Sequence, residues 1–397
     1  MKAILVALLA LHAAIHLLGF AKAFGLAEIP QLKTPIGRPL GLLWLVAAMA
    51  LFASVFLLVL SEAHWWVAAV PAIIASQIAI CTSWSDARFG TVMNVVILVP
   101  LTMAVLELRS TSFTSVYRSG VERGLAQQPR GPVITDADLE TMPRLVQEHL
   151  RRVGVVGRPR PTNVRVRWRG EMKASPTASW MTMRAEQVNV FGESPTRLFM
   201  MDARLHGIPF QALHEYVGGS ATMRVRAAQL FDVVDARGPE MNRSETVTLF
   251  NDMCVLAPGS LVGAPVVWRE IDDHTVGATF TNAGNTIRAE LFFDERGDLV
   301  DFRSNDRDQS ADGKTYKRFP WSTPIGDYAV FHGLRLPSRG QAIWLQPDGE
   351  YVYGRFHLED IEMDVARVPA KGASLPALSV RSRPGRPSPR SRSLRRT

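Results

Sequence analysis

The chain has 397 residues, too many for one small domain, and its two cysteines, Cys81 and Cys254, rule out a disulfide framework or a cysteine-based zinc site. Its formal net charge of +8 sits at one end, because the segment "RSRPGRPSPRSRSLRR" (381–396) holds seven arginines and no acid. That basicity belongs to a tail, so the folded part is not marked as a nucleic-acid binder and no specific nucleic acid is expected as a partner.

Four apolar runs, 3–20, 41–60, 65–83 and 91–107, occupy the first quarter. Each approaches the ~20 residues that cross a ~30 Å hydrocarbon core as a helix. A four-helix transmembrane domain is therefore expected over 1–108, with "SEAH" forcing a tight hairpin between the second and third helices. Trp44, Trp65, Trp66 and Trp84 fall near the ends, where indole suits the headgroup layer. In "WSDARFG", Ser85 and Asp86 are placed to cap the next helix. Lys2, the first run and "AKA" also fit the outline of a cleaved signal peptide; the length of the run and its two histidines count against that. The positive flanks tie, Lys22, Lys33, Arg38 and Arg88 against Lys2, Arg109, Arg118 and Arg123, so charge does not set the orientation.

His12 and His16 lie one turn apart within the first run. Imidazoles at that spacing hold a metal or haem, serve a proton or substrate path, or form an interhelical polar seam. Ser76, Gln77, Asn94, Thr102 and Glu107 are the other polar candidates; they complete no coordination sphere, so no metal or cofactor is expected.

Residues 109–134 read as a linker. Thr135 and Asp138 then resemble a capping box opening an amphipathic helix, with Leu139, Met142, Leu145, Val146 and Leu150 at helical spacing and Gly154 as the stop. Downstream the period changes to two. In "VRVRWRGEMK" Val164, Val166, Trp168, Gly170 and Met172 alternate with charge, and in "TIRAELFFDERGDLVDFRS" Ile287, Ala289, Leu291 and Phe293 share a face before a turn. "QAIWLQPDGEYVYGRFHLEDIEM" repeats the alternation around a "PDG" turn. A second helix is expected from 245 to about 256, after Ser244 as its cap, with Glu245, Leu249, Asp252 and Leu256 on one face. Glu245 and Asp252 are either an acid/base pair or anchors to sheet arginines such as Arg224, Arg226 or Arg303, and Asn251 would bind exposed backbone. The fold class is thus an α-helical membrane bundle followed, over 135–370, by a mainly antiparallel β (α+β) soluble domain, a half-open barrel or curved sheet with packed helices. Residues 371–397 are expected to be disordered, with the arginines free to touch anionic lipid.

No strong catalytic signature occurs. His214 and Glu215 are adjacent without H-E-x-x-H, and "GGSAT" around Ser220 lacks the last glycine of a nucleophile elbow. The balance leans away from an enzyme.

The stretches "HLLGFAKAFGL", "WSDARFGT", "LFNDMCVLAPGSL", "FPWSTPIGDY" and "GLRLPSRGQAIW" together resemble an uncharacterised bacterial family of membrane proteins, four helices followed by a domain of unknown function. "DYAVFHGLRLP" with its closing meander resembles the lipoprotein-carrier fold of the LolA/LolB type, a half-open barrel that holds acyl chains. The first resemblance supplies no catalytic residues. The second implies a soluble domain outside the cytoplasm, on a multi-pass protein of the bacterial inner membrane. The expected function is a membrane-anchored lipid or apolar-ligand binding module, its pocket lined by Trp168, Met172, Trp180, Met183, Phe191, Trp268, Phe293 and Trp344. The alternatives are a membrane enzyme or metal or haem protein using the intramembrane histidines, and a scaffold for membrane partners.

Overall fold

The computed structural model describes residues 2–61, 63–126, 130–193 and 195–367; the arginine-rich tail lies outside them. The four apolar runs form α1 (Lys2–Ala23), α2 (Arg38–Leu60), α3 (Trp66–Thr82) and, after the single turn α4 (Trp84–Ala87), α5 (Gly90–Leu106). α1 and α3 each pack on both α2 and α5, giving a closed bundle. α1 and α2 are long and apolar enough to cross a membrane, and the apolar α3 and α5 are shorter, at 17 residues each.

Two details of this region differ from expectation. Trp44 is not at a headgroup layer but buried against His16, because Gly19 leaves it room: a Cβ there would stand 2.2 Å from the indole ring. Asp86 does not cap α5; its carboxylate accepts the Thr34 backbone N–H at 2.6 Å and ties the α1–α2 loop to α4.

The expected linker contains a helix, α6 (Phe113–Leu125), capped by Ser112, whose hydroxyl accepts from Ser115 N–H. Phe113, Tyr117 and Val121 recur every four residues and pack on Val188, Val190, Leu198, Met200 and Leu213 of the sheet beneath. The helix expected from 135 divides. Asp138 does accept from Thr135 N–H and Oγ1–H, both at 2.7 Å, but the box caps only a 3₁₀ turn (Ala137–Leu139). Pro143, which cannot donate a backbone N–H, precedes α7 (Arg144–Val153), and Gly154 ends it at φ +88°.

The strands are β1 (Asn163–Met172), β2 (Met181–Val190), β3 (Thr196–Leu205), β4 (Ile208–Val217), β5 (Ser220–Ala227) and β6 (Phe231–Arg237). Then come helix α8 (Pro239–Val255), β7 (Val266–Asp272), β8 (Thr275–Asn282), β9 (Asn285–Phe293) and β10 (Leu299–Ser304). The short β11 (Asp308–Gln309) and β12 (Lys317–Arg318) pair only with each other. β13 (Trp321–Ser322), β14 (Ile325–Phe331), β15 (Leu334–Gln346) and β16 (Gly349–Met363) complete the set. Two antiparallel meanders join where β1 pairs with β16, in the order β6-β5-β4-β3-β2-β1-β16-β15-β13-β10-β9-β8-β7, with β14 beside β15. This fourteen-stranded sheet is the antiparallel half-barrel that the alternation predicts.

The sheet curls until its two arms touch. Asn285 Nδ2 donates to Gly219 O at 2.9 Å and Asn282 Nδ2 to the Tyr216 hydroxyl at 2.8 Å, joining the β8–β9 turn to the β4–β5 turn. Gly219 permits this close approach, since its φ is +79° and a Cβ would lie 2.5 Å from that of Ala283. α8 fills the concave side and starts at Pro239 rather than at Glu245, because proline at a helix entry forfeits no needed N–H. Nearly all of it is buried, with Phe250 stacked on Phe280 at 5.0 Å and edge-on to Phe302.

Candidate ligand-binding site

A helix with this many polar residues is buried only if the sheet satisfies them. Period-two alternation turns Arg197, Phe199, Met201 and Ala203 of β3 toward α8, and Arg197 becomes the hub. Its Nη1 donates to Glu245 Oε2 at 3.0 Å and its Nε to Asp252 Oδ2 at 2.7 Å. Gln187 and Asn189 of β2 also donate to Asp252 Oδ2, at 2.6 and 3.1 Å. His214 Nδ1 stands 3.5 Å and Arg307 Nη2 4.0 Å from Glu245 Oε1, an oxygen without a hydrogen-bond partner. Burial pushes the Glu245 carboxyl up, but Arg197, His214 and Arg307 outweigh it and hold it down at about 2. Burial dominates at Asp252 and raises it against the pull of Arg197.

The arginines expected to anchor α8 are engaged elsewhere: Arg224 with Glu215, Arg226 with Asp232, Arg303 with Asp301. Asn251 meets no exposed backbone; its Nδ2 donates to Thr323 Oγ1 at 2.7 Å.

Below this polar layer the same concave face turns apolar. Met183, Ala185, Phe199, Met201, Ala203 and Ala212 form a buried cluster, rimmed by the half-buried Trp168, Met172, Met181, Phe210, Val225 and Phe356. Methionine is dense here, and its flexible thioether repacks around irregular apolar guests. The cluster lies toward the strand ends that carry the β1–β2, β3–β4 and β5–β6 connections.

Of the eight expected lining residues, Trp168, Met172 and Met183 belong to this cluster. Phe191, Phe293 and Trp344 are buried in the core around α8, and Trp268 packs against that core beside Phe250. Trp180 stacks under Arg355, 4.4 Å away, and Lys173. A separate cavity of about 380 Å³, lined mainly by Ile134, Val155, Pro161, Pro258, Phe331, Leu334, Ile361 and Met363, opens at the opposite strand ends, and none of the eight reaches it. Its wall comes from five chain segments, so no local pattern announces it.

His12 and His16 do meet the polar residues of the other helices. His12 Nε2 donates to Asn94 Oδ1 at 2.8 Å and lies 3.0 Å from Ser76 Oγ, which is 2.8 Å from His16 Nε2. Asn94 Nδ2 donates to Gln77 Oε1 at 3.0 Å, extending the seam across α1, α3 and α5. Thr102 and Glu107 stand apart from it: Thr102 lines an outer groove, and Glu107 accepts from Gln229 of the sheet. Among the described residues no group of three or more His, Cys, Asp or Glu is placed to hold a metal.

Fold and site together define an antiparallel half-barrel closed on a buried helix, with a partly apolar concave face. The chain belongs to the family of unknown function DUF6544, whose model matches residues 132–356. No curated protein matches it. Similar solved structures include a LolA superfamily protein from Nitrosomonas europaea (10% identity, 58% of this chain and 94% of that one, TM-score 0.32). A domain from Vibrio parahaemolyticus described as outer membrane lipoprotein-sorting is similar at 11% identity, over 51% and 85% of the two chains, with a TM-score of 0.30. A DUF1329 family protein from Desulfovibrio piger is similar at 9% identity, over 59% and 95%, with a TM-score of 0.32. Likeness at this level carries no argument about ligand, which rests on the site itself.

Proposed function

We propose that the protein is a membrane-anchored module that binds a lipid acyl chain or similar apolar ligand against the methionine-rich part of its concave face. The observation carrying this reading is the apolar cluster around Met183 and Met201, whose half-buried rim of Met172, Met181, Phe210 and Val225 offers repackable surface at an open end of the half-barrel. Anchoring is inferred from the inverted polarity of the bundle: Phe56, Met49 and Val99 are more than 60% exposed on its outside, while His12, His16, Ser76 and Asn94 are inside. That is the arrangement hydrocarbon favours and water opposes. On this reading all four helices span, α3 and α5 at the short end of the usual ~17–25 residues, in the bacterial inner membrane. With an even number of spans, the half-barrel and the N-terminus share a side, which we take as extracytoplasmic. The units are the bundle (1–108), the α6-containing connection and the half-barrel to residue 367.

Photo-cross-linking of the purified full chain, in vesicles containing a diazirine-bearing phospholipid, tests the reading. Labels on Met172, Met181, Met183 or Phe210 support it. Labels on Phe331, Leu334 or Ile361 transfer the site to the 380 Å³ cavity, and labelling confined to the outside of the bundle overturns binding by the half-barrel.

A further inference from the structure

The mouth of the apolar cluster and the last helix of the bundle lie at the same end of the sheet. Gln229, in the β5–β6 turn, donates its Nε2 proton to Glu107 Oε2 at 2.6 Å, and Glu107 is the C-cap of α5. Only residues 107–112 separate α5 from α6, and α6 begins at the same end, with Phe113 held under Arg224 and Arg226 at 5.0 and 4.3 Å. From there α6 runs along the convex face toward Val190 and Leu198 at the far end. The contact and the short connection fix which rim faces the bundle.

That rim is apolar. Ala228 N–H donates to Pro209 O at 2.9 Å, locking the β5–β6 turn to the β3–β4 turn, and Ala228 and Gln229 hold φ of +50° and +62°. The paired turns present Phe231, Leu230 and Ile208 at 65%, 52% and 51% exposure. Large apolar side chains grouped on a turn are costly in water and suit the headgroup–acyl boundary of a bilayer. Their surface continues that of the apolar helices to which Gln229 is bonded.

We propose that this rim, Ile208 with Leu230 and Phe231, is a bilayer-contact surface, so that the mouth of the concave cluster opens directly onto the membrane holding the bundle. A chain passing between lipid and half-barrel then never crosses bulk water. The inference rests on the anchoring reading and adds to it a second, independent membrane contact.

Nitroxide labels test it in the full-length protein carrying Cys81→Ser, reconstituted in phosphatidylethanolamine and phosphatidylglycerol vesicles. Three positions are compared by their accessibility to oxygen and to a water-soluble nickel chelate. Phe231→Cys probes the rim, Val217→Cys the opposite end of β4, where Val217 is 52% exposed, and Phe56→Cys the outside of the bundle. The expected result is an oxygen-over-nickel preference at 231 close to that at 56 and several-fold above that at 217. A label at 231 that matches 217, while 56 stays lipid-exposed, overturns the rim contact alone. A label at 56 that also matches 217 overturns the anchoring reading, and this inference with it.

Discussion

Arg197 of β3 bridges Glu245 and Asp252, two turns apart on α8, and so pins the central helix to the sheet through one guanidinium. All three groups are buried, and the desolvation each suffers is offset only while the others are present. Arg197→Met strands two carboxylates and is expected to destabilise the half-barrel by ~3–5 kcal/mol. Adding Glu245→Gln and Asp252→Asn to the same chain should return much of that loss. Denaturant unfolding followed by tryptophan fluorescence decides, and an unchanged midpoint for Arg197→Met would refute the hub.

The same cluster sets an acid limit. Glu245 is held at about 2 in the folded protein, against 4.5 when free. Between those values the unfolded chain binds the proton and the folded one does not, so this contribution to stability is present above about pH 4.5 and fades as pH falls toward 2. Asp252, raised by burial, works in the opposite direction. Glu245→Gln should flatten the decline in stability across this window, measured as the unfolding midpoint against pH.

In the bundle, Asn94→Leu removes the acceptor of His12 and the Gln77 partner together. Interhelical hydrogen bonds of this kind contribute about 0.6–2 kcal/mol in a membrane. A loss of that size is expected in unfolding from mild detergent into dodecyl sulfate, with Ser76→Ala, which removes a bridging hydroxyl, giving a smaller one. No change in either variant would mean that the seam is not what orients α1 against α3 and α5.

Gly219→Val tests the junction of the two arms. The new side chain meets Ala283 and must adopt a positive φ, so a loss of more than about 1 kcal/mol is expected. Val217→Ala, two residues away and exposed, should change little by the same thermal unfolding measurement.

Much of this architecture was legible because periodicity is local. The alternation of Val164, Val166 and Trp168, and of Ile287, Ala289 and Leu291, places these residues on the concave face where they stand. The four apolar runs likewise become four helices. What escaped was set by distant partners. Arg197 reads as one more charge in "TRLFMM" until β3 is registered against β2 and α8. α6 was hidden by Arg118, Glu122 and Arg123, although Phe113, Tyr117 and Val121 carry a helical spacing. Burial of Trp44 depends on Gly19, a residue of another helix.

The contact between the β4–β5 and β8–β9 turns gives the half-barrel unequal freedom along its axis. Strands clasped at one end and unclasped at the other behave like the ribs of a fan, in which spacing varies least at the rivet and most at the spread edge. Gly219 and Asn285 are the rivet, and Met172, Met181 and Phe210 stand toward the spread edge. Thermal motion is therefore channelled into widening the methionine-lined end, while the clasped end keeps its spacing.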